Sequence, residues 1–138
     1  MTAEAVVDTS VLVDAMVEGA QKHSQAREQL AGLAKITIPS VVLYELVWVL
    51  SRLDVGPEAA LSAIEALVRN TKVVIATDDG GVSVKAMRRV ANEKTKLSNF
   101  DDKVVLETAL KSGLTLITYD RELDREWRRA AGEARRRG

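Results

Sequence analysis

Short runs of branched apolar residues alternate along the chain with longer stretches whose apolar positions recur every three or four residues. Glu4-Ala5-Val6-Val7 is the first short run, and it passes into Asp8-Thr9-Ser10, the chemistry of a strand end followed by a helix cap. Thr9 or Ser10 is expected to cap a helix lasting to about Val17, and a second helical stretch covers residues 24–33. Ile36-Thr37-Ile38 predicts another strand, closed by Pro39-Ser40. Residues 41–53 read as a mostly buried helix. Asp54-Val55-Gly56-Pro57 breaks it, and Pro57 opens a further helix to about Asn70, with Ala60, Leu61, Ile64, Leu67 and Val68 at helical spacing.

Val73-Val74-Ile75 predicts the third strand, Asp78-Asp79-Gly80-Gly81 a turn, residues 82–93 a helix and Lys94-Thr95-Lys96 a loop. Ser98-Asn99-Phe100-Asp101 has the spacing of a capping box, and its helix is expected to end near Ser112-Gly113. Leu114-Thr115-Leu116-Ile117-Thr118 predicts a fourth strand that delivers Tyr119-Asp120 at its end. Strands alternating with helices indicate an α/β sandwich around a mainly parallel sheet. Arg- and Ala-rich residues follow the last of these strands and read as helix or loose tail, which speaks against a fifth strand.

A chain of 138 residues has the size of one domain, and 46% hydrophobic residues are enough for a core. With no cysteine there is no disulfide, thiolate zinc site or cysteine nucleophile, and His23, in a polar stretch, is the only imidazole. The longest apolar run, residues 41–50, is interrupted by Glu45 and too short to span a bilayer. A cytoplasmic protein is the expectation. Lys plus Arg number 20 and Asp plus Glu also 20, so global charge does not advertise nucleic-acid binding. Charge is unevenly placed, however. Arg125, Arg128, Arg129, Arg135, Arg136 and Arg137 gather at the C-terminus, either as a solvated helix end or as phosphate contacts.

Carboxylates carry the candidate chemistry. Asp8 and Asp120 each follow a strand, and in parallel α/β sheets the carboxyl ends of strands form the usual active-site edge; as single residues either would suit a turn or cap. Asp102 has Val105, Leu106 and Ala109 at i+3, i+4 and i+7, so it lies on the helix face that packs on the sheet, where an unpaired carboxylate is costly. The capping box accounts for Asp101 but not for Asp102. Glu45 either marks a narrow solvent stripe with Arg52 or projects into a polar site. Convergence of such groups without thiolate or imidazole makes an all-oxygen site suited to Mg²⁺, with Mn²⁺ as a substitute. A cation would also reconcile clustered carboxylates with a phosphodiester.

Val6-Val7-Asp8-Thr9-Ser10-Val11-Leu12-Val13, Leu43-Tyr44-Glu45-Leu46, Ser98-Asn99-Phe100-Asp101-Asp102 and Leu116-Ile117-Thr118-Tyr119-Asp120-Arg121-Glu122-Leu123 together resemble the PIN-domain family in order and spacing. Asp101 and Asp102 could each be aligned on the third motif; the helical face and Ala109 favour Asp102. The resemblance implies a three-layer α/β/α sandwich with a sheet of four or five strands, residues 1–124 forming the nuclease domain and residues 125–138 a basic helix or tail of the same domain. It implies an acidic site of Asp8, Glu45, Asp102 and Asp120, supported by Thr9, Ser10 and Thr118. Asp8 and Asp102 are the expected metal ligands; Glu45 orients water or completes a second metal position, and Asp120 acts from the rim or through water. The implied activity is metal-dependent endoribonucleolytic cleavage of single-stranded RNA.

A stand-alone domain of this length is most similar to the VapC-type ribonuclease toxins, which implies a homodimer and a VapB-type antitoxin as partners. Rival readings are a catalytically silent PIN-like module that binds RNA or a partner, and a receiver-like signalling domain phosphorylated on Asp78 or Asp79.

Overall fold

The computed structural model describes residues 3–137; residues 1, 2 and 138, which fall in the two expected segments, lie outside the described residues. Four strands form the sheet: β1 (Glu4–Val7), β2 (Lys35–Pro39), β3 (Val73–Ala76) and β4 (Thr115–Ile117). Their order is β3-β2-β1-β4, and every pairing is parallel. β1 and β2 are the inner strands, which accounts for their unbroken apolar runs, since an inner parallel strand is covered on both faces. Val6, Val7 and Ile38 are fully buried there.

Seven α-helices surround the sheet among the described residues: α1 (Thr9–Met16), α2 (His23–Ala31), α3 (Ser40–Arg52), α4 (Pro57–Arg69), α5 (Gly81–Glu93), α6 (Phe100–Ser112) and α7 (Arg121–Arg137). The result is the α/β/α sandwich, with four strands and no fifth among the described residues. Basic residues from Arg125 onward belong to α7, which begins at Arg121 and seats Leu123 in the core. α6 lies on β1 between α5 and α7. Its Val105, Leu106 and Ala109 are fully buried, as their spacing requires. Pro57 stands in the first turn of α4, where the missing N–H is harmless. Gly113 ends α6 with φ 67°, a left-handed conformation that glycine adopts without a Cβ penalty.

Two expected caps are not formed. Asp8, extended at φ −83° and ψ 162°, takes the position before α1, so Thr9 and Ser10 fall inside the first turn with their hydroxyls turned elsewhere. Ser98 lies within a 3-10 turn, Leu97–Asn99, that runs straight into α6; the N–H of Asn99 reaches the carbonyl of Lys96 at 3.0 Å. Asn99 precedes the helix without a side-chain cap. With no capping box to hold it, Asp101 is an ordinary first-turn carboxylate of α6.

Candidate active site

Parallel register brings the first pair of residues together. Val7 is opposite Ile117, so the next residues, Asp8 and Thr118, leave neighbouring strands side by side. Thr118 donates its hydroxyl to Asp8 Oδ2 at 2.7 Å, and Ser10 donates to the same oxygen at 3.4 Å. Ser10 Oγ accepts the N–H of Tyr119 at 3.0 Å, and Thr118 Oγ1 accepts that of Asp120 at 3.1 Å. Each hydroxyl therefore links the carboxylate to the backbone after β4. Asp8 is only 5% exposed, and its orientation is fixed from α1 by Ser10 and from the segment after β4 by Thr118.

Glu45 reaches this edge from α3. Its Oε1 accepts the hydroxyl of Thr9 at 3.1 Å across 36 residues of sequence, so the polar-site alternative describes it and the solvent stripe does not. Arg52 instead bonds the Trp48 carbonyl. Asp102 arrives from the first turn of α6, half-buried. Asp120 is exposed, and its Oδ1 accepts the N–H groups of Glu122 and Leu123 at 3.0 and 3.1 Å. It caps α7 and stands at the rim.

Electrostatics tie the group together. Burial pushes the Glu45 carboxyl up to about 7, helped by the Asp8 charge and opposed by the Thr9 bond. Burial raises Asp102 to about 6, with the charges of Asp8, Asp120 and Asp101 adding to it. Asp8 is raised chiefly by burial, against the hydrogen bonds that Thr118, Thr9 and Ser10 give it. Among the causes acting on these three groups the one cation is Lys103, a minor influence on Asp102, and its ammonium is held by Glu126 and Glu93. Burial, reinforced by neighbouring charge, thus favours the protonated forms of these carboxyls, and no ion pair offsets it among the described residues.

That donor set fits a hard divalent cation: carboxylate oxygens, mutually repelling, at a strand-end edge. Asp8 and Asp102 are the residues that would hold it, and Glu45 stands beside them. Among the described residues no three His, Cys, Asp or Glu side chains form a ready-made metal shell. A polar cavity of about 410 Å³ includes Asp102 in its wall. A larger apolar one of about 710 Å³, lined in part by Tyr44, Phe100 and Val104, contains none of the four carboxylates.

Asp78, at the end of the edge strand β3, is engaged elsewhere. Its carboxylate accepts the N–H groups of Gly80, Val82 and Ser83 and the Ser83 hydroxyl, and these bonds hold it below the usual range. It caps the start of α5, and Asp79 Oδ1 accepts the N–H of Gly81 at 3.0 Å, so both carboxylates that a receiver-like reading would phosphorylate are engaged in the turn before that helix. Lys103 escaped the sequence reading. Its partners Glu93 and Glu126 lie 10 and 23 residues away, so no local spacing announces them.

A family model described as PIN domain matches residues 5–126. Solved structures share the fold, three of them as follows. A Mycobacterium tuberculosis VapC20, described as a sarcin-ricin loop cleaving toxin, is 22% identical, with a TM-score of 0.76 and coverage of 88% of this chain and 94% of that one. A toxin–antitoxin complex from Klebsiella pneumoniae is also 22% identical, at a TM-score of 0.62, covering 84% and 86%. VapBC2 from Rickettsia felis, bound to a DNA fragment from their promoter, is 18% identical at 0.62, covering 88% and 92%. No curated protein sequence matches the chain.

Proposed function

Because the chain belongs to the PIN-domain family, we propose that its carboxylate edge is the catalytic centre of a metal-dependent endoribonuclease acting on single-stranded RNA. The observation that carries this reading is the convergence of Asp8, Glu45 and Asp102 at one sheet edge, three buried or half-buried carboxylates raised by burial and then by neighbouring charge, with no ion pair to any of them among the described residues. Mg²⁺, or Mn²⁺ in its place, is the cofactor that answers it. When bound, the ion supplies Lewis acidity and neutralises charge on the phosphodiester.

The residues divide the work. Thr118 and Ser10 fix Asp8 Oδ2, so the first ligand is oriented before any substrate arrives. Asp102, on α6 and within reach of the Asp8 charge, is the second. Glu45, raised to about 7, can hold or release a proton at neutral pH, which suits it to the role of orienting the attacking water. Asp120 contributes charge from the rim while capping α7. The toxins among the structural neighbours support a VapC-type role, with a VapB-type antitoxin and a second copy of the chain as partners. Tyr44 and Trp48 on α3, 64% and 66% exposed, give such partners apolar surface. Among the described residues no helix is long and apolar enough to cross a membrane.

The test is hydrolysis of end-labelled RNA in single-stranded and duplex form. Internal cleavage of the single strand with Mg²⁺ or Mn²⁺, and none after EDTA, is expected. Cleavage that persists in EDTA, or a panel of RNAs left intact, overturns the reading.

A further inference from the structure

α7 turns one face toward α6. Glu122, Arg125, Glu126 and Arg129 stand at i, i+3, i+4 and i+7, so they share a side of the helix. All four line the polar cavity whose other walls include Asp102 and Lys103. Along the helix Glu126 and Glu133 stand at i−3 and i+4 of Arg129; Glu126 is already taken, and no ion pair joins Arg129 to Glu133 among the described residues. Lys103, its side chain 6% exposed, donates to both oxygens of Glu126 at 2.7 and 2.8 Å and to Glu93 at 3.1 Å. Among the described residues no carboxylate lies within ion-pair distance of Arg125 or Arg129. Arg125 gives its Nε to the Arg121 carbonyl, and its terminal nitrogens are left for a ligand.

The other arginines differ. Arg128 pairs with Asp124 at 3.0 Å, its guanidinium 6.0 Å from the Trp127 ring centroid. Arg135, Arg136 and Arg137 lie beyond the walls of this cavity. Neutral groups complete the recess: Asn99 lines it, as does Thr95, whose buried Oγ1 has no hydrogen-bond partner among the described residues.

We infer that Arg125 and Arg129 form a subsite for a second phosphate of the single-stranded RNA, adjoining the one that lies at Asp8 and Asp102. This rests on the nuclease reading of the carboxylates. Two guanidinium groups without carboxylate partners, in a polar recess that shares Asp102 with the candidate metal centre, suit the next phosphate along a flexible backbone. Three cationic side chains in the walls (Lys103, Arg125 and Arg129) face four carboxylates (Glu93, Asp102, Glu122 and Glu126). A free small anion is therefore held poorly, and the subsite works on a strand already anchored at the metal.

The experiment is a salt series of binding affinities for a single-stranded RNA, read by fluorescence anisotropy with Ca²⁺ in place of Mg²⁺ and with the strand checked intact by gel after each titration. Arg125→Gln/Arg129→Gln is expected to bind severalfold more weakly at low salt and to flatten the slope of log affinity against log salt by ~0.7, the value for one single-strand phosphate contact. Arg128→Gln keeps the wild-type slope. All three side chains are exposed, and thermal melts verify that each variant folds. An unchanged slope in the double variant, or an equal loss in Arg128→Gln, overturns the subsite even if wild-type protein cleaves RNA. Failure of wild-type protein to bind or cleave RNA overturns the nuclease reading and the subsite with it.

Discussion

Asp102→Asn is expected to lower the rate of single-stranded RNA cleavage on the order of 10³-fold, while the metal-free protein melts at the same temperature or higher. Residues that only orient a metal ligand typically cost roughly 10–100-fold when removed, and a direct ligand costs more. Stability should move the other way. Asp102 is half-buried, and that burial, with the charges of Asp8, Asp120 and Asp101 adding to it, raises it to about 6. The amide has nearly the same shape and no charge, so it relieves that repulsion. A residue serving the fold behaves differently: Leu106→Ala, in the core beside β1, is expected to cost about 2–5 kcal/mol from the cavity it leaves. Single-turnover cleavage and thermal denaturation in EDTA separate the two cases. Loss of stability with activity retained would remove Asp102 from the centre.

In EDTA, the wild-type protein is expected to lose thermal stability as pH rises from about 5 to about 7. The sign follows from proton uptake. Glu45 has an ordinary value of 4.5 and rises to about 7 in the fold; Asp102 has 3.8 and rises to about 6. Between the ordinary and the raised values the folded state binds more protons than the unfolded chain, so raising pH favours unfolding in that window. Below it both states are protonated, and the penalty is absent. Above about 7 the penalty is complete and the curve levels. Saturating Mg²⁺ should reverse the trend, because the cation stabilises the charged forms and binds the native state alone. Melting curves at several pH values, with EDTA and with Mg²⁺, read both slopes. A metal-free protein that gains stability across this window contradicts the raised carboxyls that burial and neighbouring charge produce.

Local pattern made most of the architecture legible. Short branched runs located all four strands, and the spacing of Val105, Leu106 and Ala109 turned Asp102 inward. Strand ends also pointed to Asp8 and Asp120. What local pattern does not carry is the use to which a polar group is put by a distant partner. Glu45 had two readings until Thr9, 36 residues away, was found to donate to it. Thr9 and Ser10 have the residue types of helix caps, but the extended backbone of Asp8 occupies that position and frees their hydroxyls for the site. Ser98 matched a capping box by spacing and failed because a 3-10 turn already supplies that part of the backbone with bonds. The six C-terminal arginines formed one basic block in the sequence. Only the helical face of α7, and the capture of Glu126 by buried Lys103, separate Arg125 and Arg129 from the rest.

Calorimetric titration with Mn²⁺ at neutral pH, repeated in buffers of different ionisation enthalpy, tests the metal centre most directly. Wild-type protein is expected to bind the ion and release protons, since Glu45, at about 7, and to a smaller extent Asp102, at about 6, still carry protons there. Asp8→Asn and Asp102→Asn should each abolish that binding while the protein stays folded. Wild-type protein that binds no Mn²⁺, or a site that survives both substitutions, would contradict the assignment of this carboxylate edge as a metal centre.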